Sequence, residues 1–150
     1  MDGQQLIPIW VINGPNLNLL GEREPQVYGS QSLKELSVAL VVLGTGWNLD
    51  VHCHQSNHEG VLIDLLHEAR IEARGVVLNA GAYTHTSFAL HDAIAAIHIP
   101  VIEVHLSNVF AREEFRHQSM ISVVCEGVIS GFGAVSYQMA MFALKEKLKA

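Results

Sequence analysis

The residues with the most chemistry in them gather in a few short stretches. Glu103 and His105 stand two apart in the apolar run IPVIEVHLS. On a strand that spacing puts both side chains on one face, about 6.6 Å apart along the backbone. A carboxylate beside an imidazole fixes its tautomer and favours its protonated form. That is the construction of a general acid. A purely structural pair at a sheet edge is the plainer reading, but an acidic pair in so apolar a strand costs stability unless it has a use. Tyr28 and Arg23 share the long polar stretch NGPNLNLLGEREPQVYGS, Asn13 to Ser30. Tyrosine ordinarily ionises near pH ~10, so about one in a thousand is phenolate at neutral pH. A guanidinium beside it stabilises the phenolate, and tyrosinate is then a usable general base. Gly14, Gly21 and Gly29 would let the loop hinge shut over a ligand. A mobile surface loop with a packed tyrosine describes this stretch equally well when it is read alone.

Three further groups are candidates. Asn79 closes the run VVLN and is followed by AGAYTHTS. It either ends a turn or opens a ligand-facing loop. Thr86 or Ser87 is the expected N-cap of the next helix. His85 would then sit by that helix N-terminus, where the dipole disfavours imidazolium and leaves a neutral hydrogen-bonding ring. Asp92 lies seven residues on, on the same helical face, although an aspartate on a helix is more often simply solvated. Arg112 and Arg116 are four apart in AREEFR and face the same way on a helix. Two guanidiniums turned to a pocket suit an anionic substrate. Taken alone, ion pairing with Glu113 or Glu114 explains them better.

These residues need elements to hold them. Five β-branched runs are predicted strands: Pro8–Asn13, Asn48–His54, Gly75–Asn79, Pro100–His105 and Val123–Ser130. Helical patterns lie between them at Ser32–Leu43, Glu59–Ala73, Ser87–Ala96 and a short one near Arg112–His117, with a last helix over Ala134–Lys149. Strands alternating with helices imply an α/β fold, a parallel sheet covered on both faces. Five strands in such a doubly wound sheet most often take the order 2-1-3-4-5. Ligands then bind beyond the carboxyl ends of the strands at the switch point. The loops after strands one, three and four therefore carry the chemistry, and those are the loops holding the candidates above.

Composition narrows the class. A chain of 150 residues is one domain. Hydrophobic residues make up 49% and charged ones only 16%, so part of the surface is expected to be buried in an oligomer. A net charge of -6 argues against a nucleic-acid partner. Lys145, Lys147 and Lys149 complement the dipole at the end of the last helix. Cys53 and Cys125 have no metal or redox spacing and read as buried thiols of a cytoplasmic protein. No signal peptide is read at the N-terminus, and no apolar run reaches transmembrane length. His52 and His54 share a strand face, but no further ligand follows at metal-site spacing, so no metal is expected. GVISGFG lacks the spacing of a pyrophosphate-binding loop. Lys34 and the three C-terminal lysines lie on helices away from the strand ends, which disfavours Schiff-base chemistry.

The whole pattern resembles the type II 3-dehydroquinate dehydratases. NGPNLNLLGEREPQVYG is similar to that family's opening signature, and QSNHEG, LNAGAYTHTS, IEVHLSN, AREEFRHQS and GVISGFG follow in order at family spacing. The resemblance runs from about Ile9 to the last helix. It implies a flavodoxin-like fold, anti elimination of water from 3-dehydroquinate through an enolate to give 3-dehydroshikimate, no cofactor, and a dodecamer of four trimers. The reaction would serve the shikimate route to chorismate or the breakdown of quinate. Position by position, the resemblance makes Tyr28 the base, with Arg23 stabilising its phenolate and Arg112 a second arginine nearby. Asn16 would hold a water near the enolate oxygen. His105 would be the proton donor with Glu103 as its partner. Asn79, His85, Asp92 and Arg116 would contact the substrate, and the backbone amides of Leu106 and Ser107 would hold its carboxylate. Asp92 would reach in from a neighbouring subunit. The chain departs from the family pattern in the apolar stretch SVALVVLGTGWNLD and at Phe110, where many members carry histidine. Two rivals remain. A flavodoxin-like flavin-binding module would purify yellow and lacks a Ser/Thr-rich phosphate loop here. An inactive scaffold would have lost its tyrosine, histidine or arginines, which are all present.

Overall fold

The computed structural model describes residues 3–150. Five strands form one sheet in the order β2-β1-β3-β4-β5. They are β1 (Ile7–Asn13), β2 (Leu49–Gln55), β3 (Gly75–Asn79), β4 (Val101–His105) and β5 (Gly127–Ser130), all pairing in parallel. The helices are α1 (Pro25–Tyr28), α2 (Leu33–Gly46), α3 (Glu59–Glu72), α4 (Phe88–Ile97) and α5 (Ala134–Leu148). The expected class and strand order are both found.

Period-two alternation divides each central strand between two cores. Ile9 and Val11 of β1, Val77 of β3 and Ile102 and Val104 of β4 pack with Leu36 and Leu40 of α2 and Tyr137, Ala140, Met141 and Leu144 of α5. Trp10 and Ile12, Val76 and Leu78, and Val101 pack on the other face with Leu62 and Leu66 of α3 and Leu90, Ile94 and Ile97 of α4. Because β3 and β4 are buried along their whole length, they read as continuous apolar runs, as parallel strands covered on both sides must. Ser32 caps α2 by accepting from the Glu35 amide at 3.1 Å, and Ser87 caps α4 by accepting from Leu90 at 2.9 Å.

Two expected elements are corrected. The strand placed over Val123–Ser130 begins only at Gly127, because Ser122–Val124 winds into a 3₁₀ turn. Ser122 at the start of that turn and Ser119 before it both reach Glu103 of β4. The helix near Arg112–His117 is not an α-helix. Val109–Ala111 and Glu114–Arg116 are separate 3₁₀ turns, and Arg112 lies extended between them. The sequence also gave no sign of α1, which opens on Pro25, or of the turn Gly81–His85.

The switch point is tied together from beneath. Asn13 ends β1 and Asn79 ends β3, directly in register. The Tyr137 hydroxyl donates to Asn13 Oδ1 at 2.6 Å and accepts from Asn79 Nδ2 at 2.8 Å. Tyr137 is fully buried, and that burial pushes its phenol upward, so it stays a neutral donor. Asn79 Oδ1 also accepts from the Gly81 amide at 3.1 Å, which starts the following turn. Tyr137→Phe leaves a buried asparagine at each strand end short of a partner. The expected result is a loss of about 1–3 kcal/mol of stability, read as a lower urea midpoint at unchanged slope. An unchanged midpoint would show that the tyrosine merely fills space.

Candidate active site

The carboxyl ends of β1, β3 and β4 border a cavity of about 170 Å3. Asn16, Arg23, Tyr28, Asn79, His85, His105, Leu106, Ser107, Arg112 and Arg116 all line it. Ten of the residues singled out from sequence are thus brought to one place. Glu103 lies behind His105, two residues earlier on the same strand. Asp92 does not line the cavity. Its side chain is 82% exposed and pairs with His91 Nδ1 at 3.0 Å. The shared helical face expected for His85 and Asp92 is not found, because His85 sits in the 3₁₀ turn before α4.

The acid pair is built by the strand. His105 Nε2 and Glu103 Oε2 are 2.6 Å apart, and both side chains are buried. Alternation puts them on the face opposite Ile102 and Val104, the side covered by α4 and the Ser122–Val124 turn. β4 is an inner strand, so this is no edge pair. Burial alone would raise the Glu103 carboxyl. The hydrogen bond and charge of His105, with the hydroxyls of Ser122 and Ser119, outweigh it and hold the carboxyl below the usual range. Glu103 is therefore an anion at neutral pH.

His85 has the opposite character. Its Nδ1 is 2.6 Å from the Gln118 carbonyl oxygen. A carbonyl only accepts, so Nδ1 carries the proton and Nε2 of the neutral ring is an acceptor. Burial lowers its proton affinity first. The Gln118 carbonyl opposes this, and the charges of His105 and Arg116 add to the lowering. The neutral ring expected from sequence is found, but burial and not the helix dipole is the main cause. The rings of His85 and His105 stack at 6.3 Å.

Tyr28 is the last residue of α1, and its phenol oxygen accepts from Arg112 Nη1 at 2.6 Å. Arg23 lies over the ring, with Cζ 4.9 Å from its centre. Two guanidiniums flank one phenol, and the one that reaches its oxygen is Arg112. The phenol is therefore anchored at its oxygen, while most of the loop around it stays exposed. Arg112 also donates weakly to Ser107 Oγ at 3.4 Å and lies 3.6 Å from Glu24. Arg116 donates to Glu113 at 2.7 Å. The ion pairing weighed against a binding role is present, and Arg116 lines the cavity all the same.

Glycine has two different uses in the opening loop. Gly21 and Gly29 take φ of +94° and +85°, where other residues are strained. Gly14 is no hinge. A Cβ there would lie 2.6 Å from the Ala80 carbonyl oxygen, so glycine is needed for β1 and the turn after β3 to approach. Asn16 takes a left-handed φ of 69°. Its amide donates to Asn57 Oδ1 at 3.0 Å, and Gln55 Nε2 donates to the same oxygen at 3.1 Å and to the Gly14 carbonyl at 3.1 Å. Tyr83 donates to the Asn57 carbonyl at 3.0 Å. Gln55 and Asn57 were not singled out from sequence, although QSNHEG is one of the stretches that carry the resemblance.

The histidines of β2 stand apart from this cavity. His52 pairs with Asp50 at 2.9 Å, and the His54 ring packs against Trp10 at a tilt of 38°, with centroids 4.2 Å apart. Cys53 and Cys125 are half-buried, and burial raises both thiols, Cys125 to about 12. Among the described residues no helix is long and apolar enough to cross a membrane.

The chain has close relatives. The family model described as dehydroquinase class II matches residues 7–145. The 3-dehydroquinate dehydratase of Rhizobium johnstonii is 60% identical over 137 residues, covering 91% of this chain and 94% of that protein. That of an Exiguobacterium species is 60% identical over 138 residues, covering 92% and 94%. Among solved structures, the type II dehydroquinase from Butyrivibrio crossotus superimposes with a TM-score of 0.91 at 48% identity, covering 93% of this chain and 97% of that one. A family match over nearly the whole chain, together with a cavity walled by the strand-end residues that its motifs supply, makes this chain a member of the class II dehydroquinases.

Proposed function

We propose that the chain is a type II 3-dehydroquinate dehydratase, a hydro-lyase that converts 3-dehydroquinate to 3-dehydroshikimate and water. One observation carries the reading beyond family membership. A tyrosine held by arginine and a histidine held by glutamate line the same small cavity. A base and an acid in one site are what an elimination needs.

The chemistry follows from these groups. Tyr28 as phenolate, stabilised by Arg112 and Arg23, removes a proton from the carbon next to the ketone. The electron pair of that C–H bond moves into an enolate. Asn16 holds a water against the enolate oxygen. The enolate then re-forms the ketone and makes the new C=C bond as the neighbouring C–O bond breaks. His105, charged beside Glu103, gives its proton to the departing hydroxyl, which leaves as water. Proton exchange with solvent returns Tyr28 and His105 to their starting states. Neutral His85 accepts from a substrate hydroxyl through Nε2, Asn79 shapes the turn beneath the substrate, and Arg116 with the Leu106 and Ser107 amides receives the carboxylate. The Gly21–Gly29 segment closes over the ring and excludes bulk water.

The flavin-binding alternative gains nothing. The cavity is smaller than the ~300 Å3 at which drug-sized ligand pockets begin, and the loop after β1 is filled by a 3₁₀ turn and α1.

Asp92 completes the site from a second copy, in trimers that gather into a dodecamer. The exposed Val38 and Val42 of α2 and Phe142 of α5 fit a chain that buries part of its surface on assembly.

Adding 3-dehydroquinate should produce the absorbance of a conjugated enone. Tyr28→Phe should reduce that rate by about a thousandfold or more while still folding and binding substrate. Near wild-type turnover would remove Tyr28 from the mechanism. Mixing tests the shared site. Chains carrying Asp92→Asn and chains carrying Tyr28→Phe, each impaired, should partly recover activity when dissociated and reassembled together. Fully active monomers on dilution, or hybrids that form and recover nothing, would contradict a site completed between subunits.

A further inference from the structure

The mechanism uses one oxygen of Glu103, the one turned to His105. The other oxygen is held as well. Ser119 Oγ donates to Glu103 Oε1 at 2.8 Å, and Ser122 Oγ donates to the same oxygen at 2.7 Å. The direction of the first bond is fixed by its surroundings. Ser119 Oγ also accepts from the amides of Ile121 at 3.2 Å and Ser122 at 3.0 Å. Its lone pairs are taken by those N–H groups, so its own proton points to the carboxylate. An Oε1 that receives two hydroxyl donors has no room for a proton of its own. Two hydroxyl donors on one oxygen stabilise the negative charge of the Glu103 carboxylate.

The same short segment holds the neighbouring histidine. Gln118 supplies the carbonyl that fixes the His85 tautomer, and the Met120 amide donates to the Thr84 carbonyl at 2.8 Å. Between α4 and β5 the sheet face is covered by this segment, with Ile121 fully buried in the core beneath it. We infer that Ser119 and Ser122 are positioning residues for the acid step. They keep Glu103 ionised and aimed at His105, so that the histidine carries the proton when the hydroxyl leaves. This deepens the proposed reaction and rests on His105 being its acid.

Other groups also act on this pair. His85 in the Gly81–His85 turn lies against the His105 ring, Arg116 in the Glu114–Arg116 turn adds positive charge near His85, and Cys125 after the Ser122–Val124 turn feels the Glu103 charge. None of them donates a hydrogen bond to Glu103 Oε1 among the described residues. The two serines therefore control that oxygen by themselves.

Removing the donors has a signed consequence. A Glu103 without them takes up a proton at higher pH than in the wild type, and a neutral Glu103 no longer holds imidazolium beside it. The test compares the full-length Ser119→Ala, Ser122→Ala and double variants with Ser119→Thr and Ser122→Thr, which keep the hydroxyl. Each alanine variant should lower kcat about tenfold and the double variant further, with KM held within about twofold. The threonine variants should recover most of the loss. In parallel, infrared difference spectra follow the C=O band of protonated Glu103, identified by its absence in Glu103→Gln. That band should grow in at higher pH in the alanine variants than in the wild type.

Wild-type kcat in the alanine variants would overturn the inference. So would a lower kcat with the Glu103 band unmoved, which marks a merely structural loss, or threonine variants as slow as alanine. If the double variant does not fold, the single variants decide the matter by the same readings. A wild-type protein that does not dehydrate 3-dehydroquinate would instead overturn the proposed reaction, and the infrared shift would still report on the serines.

Discussion

The site depends on one buried anion. Glu103 is 1% exposed on a strand covered on both faces. A carboxylate in such a place must have its lone pairs satisfied or give up its charge. Here three groups from two parts of the chain satisfy them: His105 two residues on, and the hydroxyls of Ser119 and Ser122. That requirement explains why the chain after the arginines folds back across the sheet as 3₁₀ turns before β5 begins. The same carboxylate orients His105, the residue proposed as the acid. The same fold-back brings the Gln118 carbonyl to His85 and fixes its tautomer, while burial lowers the ring's proton affinity. One segment therefore supports both stacked histidines, through the Gln118 carbonyl at His85 and through the serines on Glu103 beside His105.

The base side is organised by a different constraint. β1, β3 and β4 lie side by side, and the loops from their ends must share a small space. Gly14 lets β1 pass against Ala80. The Asn13–Tyr137–Asn79 bonds hold the two strand ends level. On that floor the opening loop rises through Asn16, held by Asn57, to α1 and Tyr28. Arg112 arrives from the far side of the cavity, after β4, and its hydrogen bond to the phenol closes the loop onto the rest of the domain. The tyrosine proposed as the base is in this way secured by a residue 84 positions away.

Much of this was legible in the sequence. The alternation of strands and helices and the continuous apolar runs of β3 and β4 fixed the class and the order, because burial on both faces leaves no room for polar residues in a strand. The same logic made Glu103 and His105 conspicuous. Asp92 was weaker for a physical reason, since within one chain its exposed carboxylate meets its neighbour His91 and not the cavity. What could not be read depends on long-range contact. Tyr137 looks like an ordinary apolar helix residue until its hydroxyl meets two asparagines. Ser119 and Ser122 look like loop polarity until Glu103 is placed beneath them. Asn57 supports Asn16 across 41 residues. The arginine nearest the phenol oxygen is Arg112 and not the sequence neighbour Arg23, because a short extended segment turns it inward where a helix was expected. The expected Gly14 hinge failed because a glycine can serve close approach as readily as motion, and the sequence does not distinguish the two.

The central claim is that a tyrosine base and a histidine acid act on one bound ring, with the proton and the hydroxyl leaving from opposite faces. The most direct measurement uses 3-dehydroquinate with deuterium in place of the one hydrogen, next to the ketone, that lies anti to the departing hydroxyl. Single-product mass analysis then reports where the label goes. The account predicts that the deuterium passes to solvent and the 3-dehydroshikimate is unlabelled. Deuterium retained in the product would mean loss of the hydrogen on the same face as the hydroxyl, and would contradict it.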